Sequence, residues 1–334
     1  MDIVYHDLRR MHEVKQFMEE WNNSNSYIEV QTSGTTGIPK TMHLSKKLMK
    51  KSALQTISYF ELLPGMKTGL CLSLQHIAGK MMLVRATLGD MELHVLPVDK
   101  NPLLQVDFAL DFNAMVPVQA LSVAEEGKEI HRQGTVIIGG SPMTDAQFNV
   151  VSVYYSHAFQ SYGMTETASH IALRKIDGNA NSSYHVLDCF SVSEKEGCLV
   201  VRHKDLPNGE VVTKDCIELV HDKEFKYLGR ADFVIVSGGH KIHPETLEAK
   251  LGATLKFPCM VAPISDDTWG ELVGLVLLQG ETIPTKEILK PLFAPYELPR
   301  KFTFTKEIKR NEAGKIDRKR MLEILTDHEW ETIL

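Results

Sequence analysis

Between residues 26 and about 165 the chain alternates short apolar runs with amphipathic helical patterns. This alternation constrains the fold more than any other feature. The spacing predicts strands over 27–31, 69–74, 93–98 and 135–138, with helices over 45–60, 78–88 and 145–155. In the first helix Met49, Ala53, Ile57 and Phe60 recur on one face, while Lys46, Lys47, Lys50 and Lys51 read as a solvated face. Buried strands separated by helices point to parallel sheet with helical cover. After about residue 190 the period shortens. Strands are expected over 198–202, 210–213 and 216–220, separated by turn residues such as Pro207-Asn208-Gly209, which suits a small antiparallel sheet or barrel. From 233 a compact α+β pattern follows, with helices over 244–250 and 285–292 and strands over 260–264, 272–278 and 302–305. The expected fold is therefore a large α/β domain over 1–229 and a smaller α+β domain over 233–334. A small β subdomain is expected over about 190–229. At 334 residues each domain can bury a full core.

Composition closes off several classes. With 43% hydrophobic and 24% charged residues the chain is neither disordered nor fibrous. A net charge of −6 without a basic block argues against a general nucleic-acid binder. No signal peptide is read at the N-terminus, and no apolar run is long enough to span a bilayer. The five cysteines, Cys71, Cys189, Cys198, Cys216 and Cys259, are widely spaced and form no C-x-x-C pair. They read as small hydrophobes inside strands of a cytoplasmic protein, without a disulfide framework, zinc site or redox motif.

The strongest local signal is Thr32-Ser33-Gly34-Thr35-Thr36-Gly37-Ile38-Pro39-Lys40, read as a loop between a strand and a helix. Two glycines free backbone N–H groups to turn toward an anion, four hydroxyls add donors and a lysine adds charge. That is the chemistry of a triphosphate cradle. Pro39 stands where a Walker A loop needs glycine, so the chain is not read as a P-loop NTPase.

This loop resembles the phosphate-binding signature of the adenylate-forming superfamily: acyl-CoA synthetases, peptide-synthetase adenylation domains and luciferases. Further matches follow in the family's order. Gly139-Gly140-Ser141-Pro142-Met143 resembles the turn lining the adenine pocket, and Gln160-Ser161-Tyr162-Gly163-Met164-Thr165-Glu166-Thr167 resembles the Y-G-x-T-E segment. The resemblance implies that Tyr162 stacks on adenine, Thr165 approaches the α-phosphate and Glu166 binds magnesium. Thr213-Lys214-Asp215 resembles the T-G-D turn, with Lys214 in place of glycine and Asp215 implied to hold the ribose hydroxyls. Gly229-Arg230-Ala231-Asp232 resembles the G-R-x-D hinge over 230–232, with Arg230 on the nucleotide and Asp232 as pivot. Gly238-Gly239 fall in the glycine-rich loop implied to leave room for pantetheine. Gly314-Lys315-Ile316-Asp317-Arg318 resembles the C-terminal motif whose lysine, here Lys315, is catalytic.

The implied reaction joins a carboxylic acid to ATP, with magnesium, and passes the acyl group to coenzyme A. In it the loop donors, the metal and Lys315 offset the repulsion between two anions. Transfer to a carrier-protein thiol, or a catalytically silent nucleotide-binding relative, are the alternatives. The run His76-Ile77-Ala78-Gly79-Lys80-Met81-Met82-Leu83-Val84-Arg85 resembles that of the short o-succinylbenzoate–CoA ligases of menaquinone synthesis. His76 then caps or gates the acyl site, unless it is merely structural, and Gly79 and Lys80 lie beside it. That substrate is a dianion, whose second carboxylate calls for a cation such as Lys80, Arg85 or a nearby histidine. Only 31 residues precede the loop, where family members carry a substantial subdomain. A trimmed large domain is thus expected, with dimerisation as one way to cover its apolar surface.

Overall fold

The structure, a computed structural model, describes residues 1–334 except 33–39, 105, 133, 181, 256 and 311–315. Twelve strands form one sheet. Its first six, in spatial order, are Asp2–Tyr5, Glu92–Val95, Lys67–Leu70, Phe112–Met115, Thr135–Ile138 and His157–Gly163, all parallel. From His157–Gly163 onward the pairing is antiparallel, through His170–Lys175, Tyr184–Val186, Glu224–Arg230, Glu210–His221, Cys198–Arg202 and Ser191–Lys195.

Both faces of the parallel half are covered. Along Thr135–Ile138, Ile137 faces one apolar core while Val136 and Ile138 face the other, as the two-residue side-chain period requires. The helix Ile77–Leu88 is apolar almost all round and accordingly buried from Met81 to Ala86. The helix Lys46–Tyr59 starts at Ser45, whose hydroxyl accepts from the Leu48 N–H. The helix Asp145–Tyr154 starts with a reciprocal Thr144–Gln147 cap. Arg10, just before the helix Met11–Asn22, donates to the carbonyls of Leu70, Leu72 and Leu96 at the ends of two parallel strands.

A second sheet begins where the first stops. Its order is His240–Ile242, Ile235–Ser237, Gly270–Leu278, Lys301–Thr305 and Glu331–Thr332, with Cys259–Asp266 also paired to Gly270–Leu278. The helices Pro244–Leu255 and Arg318–Leu325 cover its two separate apolar cores. The two parts touch where the Thr246 hydroxyl donates to the Leu228 carbonyl at 2.9 Å.

Several expectations change. Tyr27–Thr32 is a strand, but it pairs antiparallel with an unforeseen strand, Lys40–Ser45, in a separate ribbon. The loop therefore lies between two strands, and the helix begins only at Lys46. The lysines of that helix are not all solvated. Lys46 is buried, donating to the Asn23 carbonyl and side chain, and Lys47 and Lys51 both pair with Asp205. Hydrogen bonds from those two lysines hold the Asp205 carboxyl down at about 2. The expected strands 210–213 and 216–220 are one, Glu210–His221, and the antiparallel strands extend the main sheet rather than forming their own. The stretch 285–292 is only a helical turn, Lys286–Leu289, running into a 3-10 turn.

Candidate nucleotide and acyl site

Between the pairs Val200↔Val212 and Cys198↔Cys216, Leu199 faces three residues, Thr213, Lys214 and Asp215. The triplet expected as a turn is thus a bulge within a strand, closed by the Asp215 N–H donating to the Thr213 hydroxyl at 3.0 Å. A bulge re-aims the side chain it carries. Here it aims the Asp215 carboxylate at Arg230, its cross-strand partner, 3.3 Å away, and at the Tyr162 hydroxyl, which donates to it at 2.5 Å. Three strands separate Tyr162 from Asp215 in the sheet order, yet its ring crosses them, meeting Tyr184, Phe225 and Tyr227 at centroid distances of 5.2–6.1 Å. Burial, followed by the Asp215 charge, raises the Tyr162 phenol well above its ordinary value, so it stays a donor.

Arg230 also donates to Asp232 at 2.9 Å, and the Lys214 ammonium meets the same carboxylate at 2.7 Å. Against the opposing effect of partial burial, these two cations hold Asp232 below the usual carboxylate range. The substituted lysine of the T-x-D motif therefore bonds the residue expected as the pivot.

Gly139 and Gly140 leave the end of Thr135–Ile138, and a Cβ at Gly139 would come within 2.5 Å of the Ser161 hydroxyl. Ser141, half-buried, follows them. Gly163 is pressed against the next strand, where a Cβ would lie 2.3 Å from the Ser169 carbonyl. Thr165 and Glu166 then form a 3-10 turn whose Thr167 hydroxyl donates to the Met164 and Ser169 carbonyls. Among the described residues Glu166 is half-buried and makes no hydrogen bond or ion pair.

The acyl-side candidates separate. His76 is exposed, at the start of the helix Ile77–Leu88, without a side-chain cap bond. Gly79 packs on the Ser73 carbonyl. Lys80 lies over the Phe17 ring at 4.9 Å, on the N-terminal helix, with burial lowering its ammonium pKa. Arg85 differs. It is 2% exposed and has no carboxylate partner among the described residues; it donates to the Ser169 hydroxyl at 2.6 Å, and its Nε–H is unpaired. Burial lowers its guanidinium pKa to about 9, leaving it charged at neutral pH.

His170 sits beside it, 3.2 Å from the Thr56 hydroxyl, and burial, with Arg85 adding repulsion, takes its pKa well below 6.5. The unfolded chain takes up a proton at this histidine near 6.5 and the folded chain does not, so stability falls as pH drops through that value. At pH 5.5 this amounts to about 1.4 kcal/mol. A His170→Gln variant is expected to lose less melting temperature than the parent between pH 7.5 and 5.5. An equal loss would refute the assignment.

Gly238 and Gly239 form the turn between Ile235–Ser237 and His240–Ile242, both at positive φ, 56° and 82°. Ser33, Gly34, Thr35, Thr36, Gly37 and Lys315 lie outside the described residues. Thr32 and Lys40 face each other as strand partners on either side of the loop. Around Lys315 the chain is anchored: Arg310 bridges to Ile316, the Asp317 N–H donates to the Lys309 carbonyl, and buried Arg318 bonds Glu248 and the Val261 carbonyl. The structure thus brings Tyr162, Asp215, Arg230 and Asp232 together, sets Gly139 against Ser161 beside Tyr162, and places Lys80 against Phe17 instead. Sequence reasoning overlooked Ser169 and Tyr227, although each lies within three residues of a motif it quoted.

Several known proteins resemble this chain in sequence and fold. An acyl-CoA synthetase (AMP-forming)/AMP-acid ligase II-like protein from Dyadobacter fermentans is 32% identical. It matches nearly end to end, over 96% of this chain and 95% of its own, with a TM-score of 0.62. The o-succinylbenzoate CoA synthetase of Bacillus subtilis, solved with its acyl-adenylate intermediate, is 22% identical over 88% of this chain and 68% of its own. Its TM-score is 0.78. The 2-succinylbenzoate–CoA ligase of Bacillus cereus is 24% identical over 94% of this chain and 73% of its own. The fold is that of the adenylate-forming enzymes, and no helix among the described residues is long and apolar enough to cross a membrane. With the family's sequence model matching residues 10–204, the chain belongs to the AMP-binding enzyme family.

Proposed function

We propose that the chain is an AMP-forming acid–CoA ligase acting on o-succinylbenzoate in menaquinone synthesis. A substrate carboxylate oxygen attacks the α-phosphorus of ATP and pyrophosphate leaves; the CoA thiol then attacks the acyl carbon and AMP leaves. Tyr162, Asp215 and Arg230 serve the nucleoside, and the 32–40 loop and Lys315 serve the phosphates. The Glu166 carboxylate, unpartnered among the described residues, is a hard oxygen ligand of the kind magnesium takes alongside phosphate oxygens and water. Magnesium would neutralise phosphate charge there. A cytoplasmic location, where ATP and CoA are pooled, suits five free thiols.

The observation that carries the choice of acid is Arg85. A buried guanidinium without a counter-ion is costly unless a ligand supplies one. A dicarboxylic substrate does so, because one carboxylate reacts while the other pairs with Arg85. Pyrophosphate exchange from ATP is expected with o-succinylbenzoate and weakly, if at all, with benzoate or alkanoates. Arg85→Met should cut kcat/KM for o-succinylbenzoate roughly 10- to 150-fold, the worth of a charged hydrogen bond, while raising the melting temperature of the free protein. Equal rates with monocarboxylic acids would overturn the choice.

A further inference from the structure

Cys198 and Cys216 face each other across two antiparallel strands, at the foot of the bulge that carries Asp215. We propose that this pair is an oxidative modification site, closed into a cross-strand disulfide by a peroxide or a small-molecule disulfide, and that closure weakens nucleotide binding through Asp215. The effect on the nucleotide rests on the functional reading above; the formation of the bond does not.

Directly opposed residues in an antiparallel ladder have Cα atoms about 4.5–5.5 Å apart, inside the span of roughly 4.4–6.8 Å that a disulfide accepts. Burial, followed by Cys198, pushes the Cys216 thiol up to about 11. Cys198 is the more exposed of the two, so oxidation begins there and Cys216 resolves it. The other thiols lack this arrangement. Cys259 faces Leu277 across its ladder, Cys71 is fully buried against the Ala114 carbonyl, and neither has a second cysteine opposite.

With hydrogen peroxide the Cys198 sulfur takes one oxygen and water leaves. The Cys216 sulfur then attacks the sulfenic sulfur, and its proton departs with the hydroxyl as a second water. Two thiols are oxidised to one disulfide and one peroxide is reduced to two waters. A disulfide oxidant reaches the same product through a mixed disulfide, releasing two small thiols, and an excess of dithiol reverses it. Closure draws the Cβ atoms from about 5 Å to about 3.8 Å. The movement falls on Cys216, which adjoins Asp215 and pairs with Gly229, the residue before Arg230.

The test treats the full chain with hydrogen peroxide, maps thiols by alkylation and peptide mass, and measures ATP affinity by calorimetry. A dithiothreitol-reversible Cys198–Cys216 cross-link, with ATP bound several-fold more weakly, is the expected result. Cys198→Ser and Cys216→Ser should keep the parent affinity when reduced and no longer respond to oxidation. Sulfinic acid on Cys198 with Cys216 still alkylatable, or modification confined to Cys189, would overturn the site. A cross-link that leaves ATP affinity unchanged would overturn the coupling. Reduced protein that binds no ATP would instead count against the functional reading.

Discussion

Replacing Lys315 with alanine is expected to slow acyl-adenylate formation by about a hundred- to thousandfold, the usual effect of removing one preorganised donor from a charge-developing transition state. Thioester formation from preformed adenylate should continue near the parent rate. The two half-reactions differ in what they ask of an ammonium. In the first, a carboxylate approaches an already anionic triphosphate; in the second, a thiol attacks a neutral acyl carbon and expels AMP. The folding cost of the substitution should be small, because the surrounding anchors are made by Lys309, Arg310, Ile316, Asp317 and Arg318 themselves. Pyrophosphate exchange and CoA-dependent release of AMP from synthetic adenylate, measured side by side, decide the matter. Equal loss of both activities would remove Lys315 from its assigned role.

Asp215→Ala should have the second-largest effect, on binding and stability together. The carboxylate is 14% exposed and receives the Tyr162 hydroxyl and the Arg230 guanidinium. Without it the buried phenol loses its acceptor, at about 1–3 kcal/mol, while Arg230 keeps Asp232. A ribose held by that carboxylate loses charge-assisted hydrogen bonds as well, so the dissociation constant for ATP should rise roughly 10- to 150-fold. Asp215→Asn keeps an acceptor and should lie between the two proteins in melting temperature. Calorimetric titration with ATP at fixed salt checks the first part and thermal melting the second. Unchanged ATP affinity in the alanine variant would separate Asp215 from the nucleotide.

Local patterns in the sequence marked out much of the architecture. Thr135–Ile138 and Cys198–Arg202 lie where expected, and Asp145–Tyr154 nearly so, because each is a short, strongly patterned run bounded by turn or cap residues. The ribbon partner Lys40–Ser45 was not legible. Its alternation is brief, and the lysines after it extend a helical pattern backwards. Phe112–Met115 and the helix Pro117–Glu126 were also unforeseen, since the strand is only four residues long and its helix begins directly behind it. At the site, the residue types of Tyr162, Asp215 and Arg230 stood out in the chain, but their meeting depends on register and on a bulge, which no local pattern encodes. The same is true of Cys198 and Cys216, which look unrelated until two strands are aligned. Lys80 and Arg85 were equally eligible as counter-ions, and only burial and the direction of each side chain tell them apart.

Tyr162, Asp215 and Arg230 all belong to the twelve-stranded sheet, whereas Arg318, three residues beyond Lys315, bonds Glu248 and the Val261 carbonyl in the smaller part. On the roles we propose, holding the nucleoside and acting on its phosphate fall to separate slabs of the molecule. Grip and turnover can then drift independently under selection: a change in the smaller slab can retune velocity without rebuilding the seat, and one at the seat can retune occupancy without disturbing the working arm.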